Sequence, residues 1–258
     1  MQVVILCGGR GTRLGRQSEL RPKPMVRIGE RPILWHIMKT YASFGHGDFV
    51  LCLGWLSDVI KDYFLNYDAR QSDVTVRLGE RSEVTVHSTH EEDWSVTLAD
   101  TGLDTNTGAR LKRIERYIED DTFLLTYGDG VADVDIDAAV ELHRSHGKIA
   151  TVTAVHPPAR FGELQLGESG EVESFSEKPQ ASQGLINGGF FVFDRRVFAH
   201  VPDDPYCSLE SDLLEHLCAE DQLVGYRHDG FWQCMDTVRE LDILNRLWDG
   251  GQAPWKRW

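Results

Sequence analysis

Val3-Val4-Ile5-Leu6-Cys7-Gly8-Gly9-Arg10-Gly11-Thr12-Arg13-Leu14 is the stretch on which the fold turns. Its first half is a short apolar run, the pattern of a strand buried on both faces. Its second half is a glycine-dense turn carrying fixed cations. A strand opening into such a turn is how a protein grips a polyphosphate: glycines let backbone N–H groups approach phosphate oxygens, and arginine or lysine neutralises them. Ten residues on, Arg21-Pro22-Lys23-Pro24-Met25 adds a lysine held between two prolines, whose fixed φ stiffens the backbone on either side.

The charge distribution sharpens this reading. The chain carries a net charge of −14 over 258 residues. Residues 1–31 nevertheless hold seven cations (Arg10, Arg13, Arg16, Arg21, Lys23, Arg27, Arg31) against two acids (Glu19, Glu30), a local balance of +5. A basic island on an acidic chain points to one anionic ligand, and the overall charge disfavours nucleic acid and anionic membranes as partners. No apolar stretch approaches the roughly 20 residues needed to span a bilayer. The five cysteines form no Cys-x-x-Cys pair and read as free thiols, so a reducing, cytoplasmic setting is expected.

Outward from the first loop, periodicity predicts an alternation of elements. A strand over 2–7 is followed by a helix from Pro32 to Gly45, a strand over 48–53 and a helix around 59–64. Residues 73–78, 83–88 and 94–99 alternate like edge strands. A short helix near 111–118, a strand over 122–127, a helix over 135–146 and a strand over 149–155 follow. The remainder is richer in strand (162–166, 171–176, 188–193, 223–228), with helices near 208–220 and 237–248. The early β-α-β-α order implies an α/β fold: a mostly parallel sheet flanked by helices, with ligands at the carboxyl ends of the strands. One domain over 1–258 fits the length.

The loop matches neither common phosphate loop. A Walker loop needs Gly-x-x-x-x-Gly-Lys-Ser/Thr, and a dinucleotide fingerprint needs a third glycine where Leu14 stands. An ordinary strand–helix turn would not need such a density of special residues. A second candidate is Thr126-Tyr127-Gly128-Asp129-Gly130, a carboxylate at the end of a buried strand, suited to Mg²⁺; a plain hairpin turn is the bland alternative. A third is Asp236, within Gly230-Phe231-Trp232-Gln233-Cys234-Met235-Asp236-Thr237. Asp236 precedes a helix and could be its N-cap. A fourth is Glu177-Lys178-Pro179, followed by Asn187-Gly188-Gly189; a Glu-Lys pair could equally be a surface ion pair of little energetic weight. The ten histidines show no His-x-x-x-His or His-Cys cluster, so zinc is not expected, and His143 and His146 on one helix are given no metal role. The tryptophans at 248, 255 and 258 fit packing on the body or on another subunit.

Leu6-Cys7-Gly8-Gly9-x-Gly11-Thr12-Arg13-Leu14 followed by Pro22-Lys23-Pro24-Met25 resembles the signature of the sugar-1-phosphate nucleotidylyltransferases. The resemblance implies a Rossmann-like, glycosyltransferase-A-type fold with a smaller β-rich part, its nucleotide half about 1–130 and its sugar half about 131–258. It implies that Leu6, Gly8, Gly9, Gly11, Thr12 and Gly128 surround the nucleotide. Arg13 and Lys23 would act on its phosphates as catalytic groups together with Asp129. Asp129 and Asp236 would share Mg²⁺, Glu177 and Lys178 would contact the sugar phosphate, and Asn187 the sugar hydroxyls. Thr105 and Arg110 are placed near the nucleotide of a neighbouring subunit, in a hexamer.

Longer strings narrow the resemblance. Residues 23–38, Asp100-Thr101-Gly102, Thr107 to Arg113, Tyr127 to Asp133, Arg160-Phe161-Gly162 and Ala253 to Lys256 are similar to one branch, the enzymes that join CTP to glucose 1-phosphate. The chain departs from that branch at Arg21 (often Lys), Cys234 (usually Pro) and Cys7 (commonly Ala). The same chemistry with a uridylyl or thymidylyl donor is the runner-up. A glycosyltransferase that uses a nucleotide sugar would need an Asp-x-Asp motif, and Asp133-Val134-Asp135 lies beyond the Gly-Asp-Gly turn. A nucleotide sensor without catalysis would be expected to lose Arg13, Lys23 or one aspartate.

Overall fold

The computed structural model describes residues 1–11, 20–78, 83–87, 92–158, 163–166, 169, 171–176 and 184–258. Its spine is a seven-stranded sheet built from β1 (Gln2–Leu6), β2 (Asp48–Leu53), β3 (Ser95–Asp100), β4 (Thr122–Tyr127), β5 (Ala150–Val155), β6 (Ile186–Asp194) and β7 (Leu223–His228). The strands lie in the order β7-β5-β6-β4-β1-β2-β3. The β4-β1-β2-β3 block is parallel throughout, and β7 runs parallel to β5. Only β6 is reversed, pairing antiparallel with both β4 and β5. The mostly parallel sheet is therefore as expected, with one inverted strand that the apolar pattern of 188–193 could not orient.

The apolar runs are continuous because both faces of the sheet are covered. Val3, Ile5, Phe49, Leu51, Leu124 and Val192 point to one core, with α1 (Ile33–Ser43), α2 (Ser57–Leu65), α5 (Ile136–His146) and α7 (Val238–Asp249). Val4, Val50, Phe123, Leu125, Phe191 and Phe193 point to the other, with α4 (Thr107–Arg113), the 3-10 turn Arg195–His200, the π-helical segment Leu209–Leu214 and α6 (Glu215–Ala219). A short helix, α3 (Tyr67–Gln71), precedes the hairpin Asp73–Arg77 with Glu83–His87. A second small ribbon pairs Glu163–Leu166 with Val172–Ser176. No helix among the described residues is long and apolar enough to cross a membrane.

The tryptophan-rich end packs on the chain's own body. Trp255 is fully buried, stacked on Phe231 and Trp248 and set edge-on to His36, while Trp258 meets Trp35. His36 is buried with both ring nitrogens occupied: Nε2 faces the Ile28 carbonyl at 3.0 Å, and Trp255 Nε1–H donates to Nδ1 at 3.4 Å. This pairing assigns a neutral ring with its proton on Nε2, and burial pushes its pKa down to about 4. His143, turned inward onto Thr151 at 3.0 Å, is likewise pushed down to about 4 by burial and by His146. The unfolded chain, with histidines near 6.5, takes up protons first as pH falls. Stability should therefore be intact above about pH 6.5 and decline toward pH 4, with each ring costing about 2 kcal/mol by pH 5. Thermal melts at pH 7.5 and 5 should show a clear drop; equal midpoints would refute the neutral burial of these rings.

Candidate active site

Parallel strands end in a common edge, and here that edge opens into a cleft of about 590 Å³. Leu6 and Gly8 follow from β1, Tyr127 to Gly130 from β4, and Asn187 to Phe190 from the start of the reversed β6. Because β6 runs backwards, its first residues arrive at the same edge as the last residues of β4, with Phe190 beside Thr126.

At the centre, the ammonium of Lys23 lies between two carboxylates, 2.5 Å from Asp129 Oδ2 and bonded to Asp236 Oδ1. Each of the three reaches this point for a separate local reason. Lys23 opens a single 3-10 turn, Lys23–Met25, entered from extended Pro22, and buried Pro24 and Met25 anchor it. Asp129 sits in the Gly-Asp-Gly turn after β4. Gly130–Ala132 then pairs antiparallel with Trp232–Cys234, and Met235 N–H donates to the Asp129 carbonyl at 2.8 Å. That two-stranded ribbon carries Asp236 to Asp129 across 107 residues. Asp236 is not the helix N-cap: Thr237 caps α7 in a capping box with Glu240. Glu240 also accepts from the Asp236 backbone N–H at 2.7 Å. The helix start is thus satisfied without the Asp236 side chain, which is left to face Lys23. Burial opposes the lysine's charge, but the two carboxylates outweigh it and hold its pKa above the ordinary lysine value.

The glycine loop rests on a buried arginine. Arg110, on α4, donates to the carbonyls of Gly8 (3.1 Å), Leu53 (3.0 Å), Gly102 (2.8 Å) and Leu103 (3.4 Å), and to Thr101 Oγ1 (2.8 Å). These acceptors follow the ends of β1, β2 and β3, so one guanidinium ties three strand ends together beneath the cleft. A Cβ on Gly8 would lie 2.1 Å from Arg110 Nη1, so glycine is required there by the arginine below it as well as by any ligand above. Gly11 has φ +59 and sits against Lys23, whose Cβ is 3.0 Å from where a Cβ on Gly11 would be.

The opposite wall is a carboxylate network. Tyr127 O–H donates to Glu210 Oε1 at 2.5 Å, while Thr107 and Ser208 donate to Oε2 at 2.8 and 2.9 Å. Asn187 Nδ2 donates to the Tyr127 hydroxyl at 3.1 Å. Burial works against the charge on Glu210, yet these donors hold its carboxyl below the usual range; burial and Glu210 push the Tyr127 phenol up. Both groups therefore keep a fixed protonation state, an ionised acceptor facing a neutral donor. Burial raises the Cys7 thiol well above its usual value and Cys234 to about 12, which favours the protonated thiol at both.

Comparison with known proteins fits this geometry. The family model described as nucleotidyl transferase matches residues 2–241. The chain belongs to the nucleotidyl transferase family. This nucleotidyl transferase is 49% identical over 259 residues to the glucose-1-phosphate cytidylyltransferase of Salmonella typhi, covering all of both chains. It is 42% identical to the probable glucose-1-phosphate cytidylyltransferase of Bacillus subtilis, again over the full length of both. The crystal structure of HddC from Yersinia pseudotuberculosis shares the fold, with a TM-score of 0.67 at 22% identity over 96% of this chain and 99% of that one.

Of the residues singled out in the sequence, Leu6, Gly8, Gly9, Gly11, Lys23 and Gly128 all line the cleft, as do Asp129, Asn187 and Asp236. Thr12, Arg13, Glu177 and Lys178 lie outside the described residues. Arg110 and Thr105 also border this cleft. Arg110 is buried and its guanidinium is bonded to carbonyls at three strand ends of its own chain, and Thr105 Oγ1 accepts from Arg113 at 2.7 Å. Glu210 carries no signal in the sequence, and Tyr127 is named there only as part of the stretch around Asp129, without a role of its own. A glutamate in a helical stretch and a tyrosine at a strand end carry no spacing signature, and only the fold joins them.

Proposed function

We propose that the chain transfers a cytidylyl group from CTP to α-D-glucose 1-phosphate, giving CDP-glucose and pyrophosphate. The observation that carries the chemistry is the convergence of Lys23, Asp129 and Asp236 at the carboxyl ends of β1 and β4; the choice of base and sugar is supported by the full-length relatives named for those substrates. An oxygen of the sugar phosphate attacks the α-phosphorus in line. The bond to the bridging oxygen breaks, and pyrophosphate leaves with the electron pair. Catalysis of this kind rests on positioning and charge neutralisation, with no covalent enzyme intermediate.

Lys23, fixed by its prolines, neutralises charge building near the α-phosphate. Asp129 and Asp236 are hard oxygen donors already gathered around one cationic centre, a donor set that suits Mg²⁺. That ion, when bound, supplies charge stabilisation to the transferring phosphoryl group. In the same reading Arg13 holds the departing phosphates, Glu177 and Lys178 place the sugar phosphate, and Asn187 meets a sugar hydroxyl. The test is pyrophosphate release from CTP, UTP, dTTP, ATP and GTP, each against several sugar 1-phosphates. CTP with glucose 1-phosphate should dominate. Equal turnover with UTP would withdraw the cytidylyl assignment, and no pyrophosphate with any pair would withdraw the reaction.

A homo-oligomer, hexameric in the resembled branch, belongs to the same reading. Its support is the hairpin Asp73–Arg77 with Glu83–His87, where Val74 stands across from Val86 and Val76 from Val84, all four exposed. A lone two-stranded hairpin is marginal in water, and a face of four valines is better covered by a second copy. Light scattering should give a mass well above 29 kDa, and Val76→Glu should lower it; a wild-type monomer would sink the idea.

A further inference from the structure

The second cluster of metal-binding side chains lies away from the cleft. β6 ends at Asp194 beside Thr122, the first residue of β4, so the 3-10 turn Arg195–His200 begins at the sheet edge opposite the cleft. His200 closes that turn. His216 and Glu220 follow on α6 and its C-cap, four residues apart and therefore on one helical face. The three side chains converge. His200 Nδ1 is 3.5 Å from His216 Nε2 and 3.4 Å from Glu220 Oε2, and His216 Nε2 is 3.4 Å from Glu220 Oε1.

These separations carry the argument. A tetrahedral zinc ion with bonds of about 2.0–2.1 Å to nitrogen and oxygen holds its ligand atoms about 3.4 Å apart. With the carboxylate as one corner, the trio already forms close to one face of that tetrahedron. An ion could seat on it with rotamer adjustments alone, and water would take the fourth corner on the solvent side. The backbone is set as well, since Glu220 N–H donates to the His216 carbonyl at 3.1 Å. Two imidazoles and a carboxylate prefer Zn²⁺, Co²⁺, Ni²⁺ or Cu²⁺ to Mg²⁺, the reverse of the all-oxygen pair Asp129 and Asp236. Sequence spacing hides the site because its two histidines are 16 residues apart.

We propose that His200, His216 and Glu220 bind one divalent transition-metal ion, with Zn²⁺ the fitting member, clamping the turn after β6 to α6. The experiment uses EDTA-stripped full-length protein in saturating Mg²⁺, titrated with Co²⁺. Visible bands of a four-coordinate cobalt centre should saturate at one ion per chain and vanish when one equivalent of Zn²⁺ is added. No thiolate-to-cobalt band should appear in the near ultraviolet, which separates this site from exposed Cys218. Zn²⁺ at a hundredfold excess over its dissociation constant should raise the melting temperature by about 5 °C. His200→Ala and His216→Gln, each folded by circular dichroism, should weaken Zn²⁺ binding at least about 10-fold and abolish the thermal shift. Binding that is absent in the wild type, or unchanged in both variants, would overturn the proposal.

Discussion

Replacing Lys23 with alanine is expected to lower kcat by about 10²–10³-fold, the usual cost of removing one preorganised charge from a transition state, while the purified protein remains folded. Geometry gives this variant a second signature. The lysine is the shared partner of Asp129 and Asp236, and its removal takes away the positive charge that lies between the two carboxylates. In EDTA the variant should melt below the wild type, and Mg²⁺ should raise its melting temperature by more than it raises that of the wild type, because the ion no longer competes with an ammonium for the same oxygens. Steady-state kinetics with CTP and glucose 1-phosphate, and melts with and without Mg²⁺, read the two effects separately. Wild-type turnover in a folded Lys23→Ala protein would remove Lys23 from the mechanism.

Arg110→Ala should act on the fold first. Its guanidinium satisfies carbonyls after β1, β2 and β3 at once. Truncation takes a donor from each of these carbonyls and opens a void under Gly8. The Gly8 carbonyl keeps the Trp55 N–H and the Leu53 carbonyl keeps Thr101, so the loss falls on the Gly102 carbonyl and the void, a combination expected to cost about 3 kcal/mol. For a chain of this size that corresponds to roughly 10 °C in melting temperature. Arg110→Lys should recover little, because one ammonium cannot span acceptors on three segments. If Arg110 instead reached a neighbouring subunit's nucleotide, the melting temperature would hold and only the KM for nucleotide would rise. Differential scanning calorimetry alongside nucleotide saturation curves distinguishes these outcomes.

Much of this was legible in the residues themselves. The strands at 48–53 and 122–127 were delimited by their apolar runs and turn residues to the residue, since a strand buried on both faces leaves no polar position to blur its edges; the edge strand 223–228, half exposed, was delimited as well. Lys23 stood out because prolines fix the backbone on either side of it, and Asp129 because it ends a buried strand between two glycines. The reversal of β6 was not legible, because an apolar run has no direction. The bonds Arg110 makes within its own chain were not legible for a related reason: an arginine beside a ligand loop looks the same in sequence whether it faces a ligand or the carbonyls behind it. Glu210 meets Tyr127 across 83 residues, and His200 joins the local pair His216 and Glu220 from 16 residues away, contacts that only the tertiary fold supplies.

The ribbon that joins Gly130–Ala132 to Trp232–Cys234 also sets an order of events. The seventh strand of the main sheet ends at His228, ahead of Asp236 in the chain. As the polypeptide emerges during synthesis, every strand of the sheet is available before the second carboxylate is. The scaffold can assemble around Lys23 and Asp129 while the acid pair is still open, and docking of the ribbon is the step that closes it. A nascent chain stalled short of this segment would hold all seven strands without the reaction centre, and without α7 and Trp255, which complete one of the two cores.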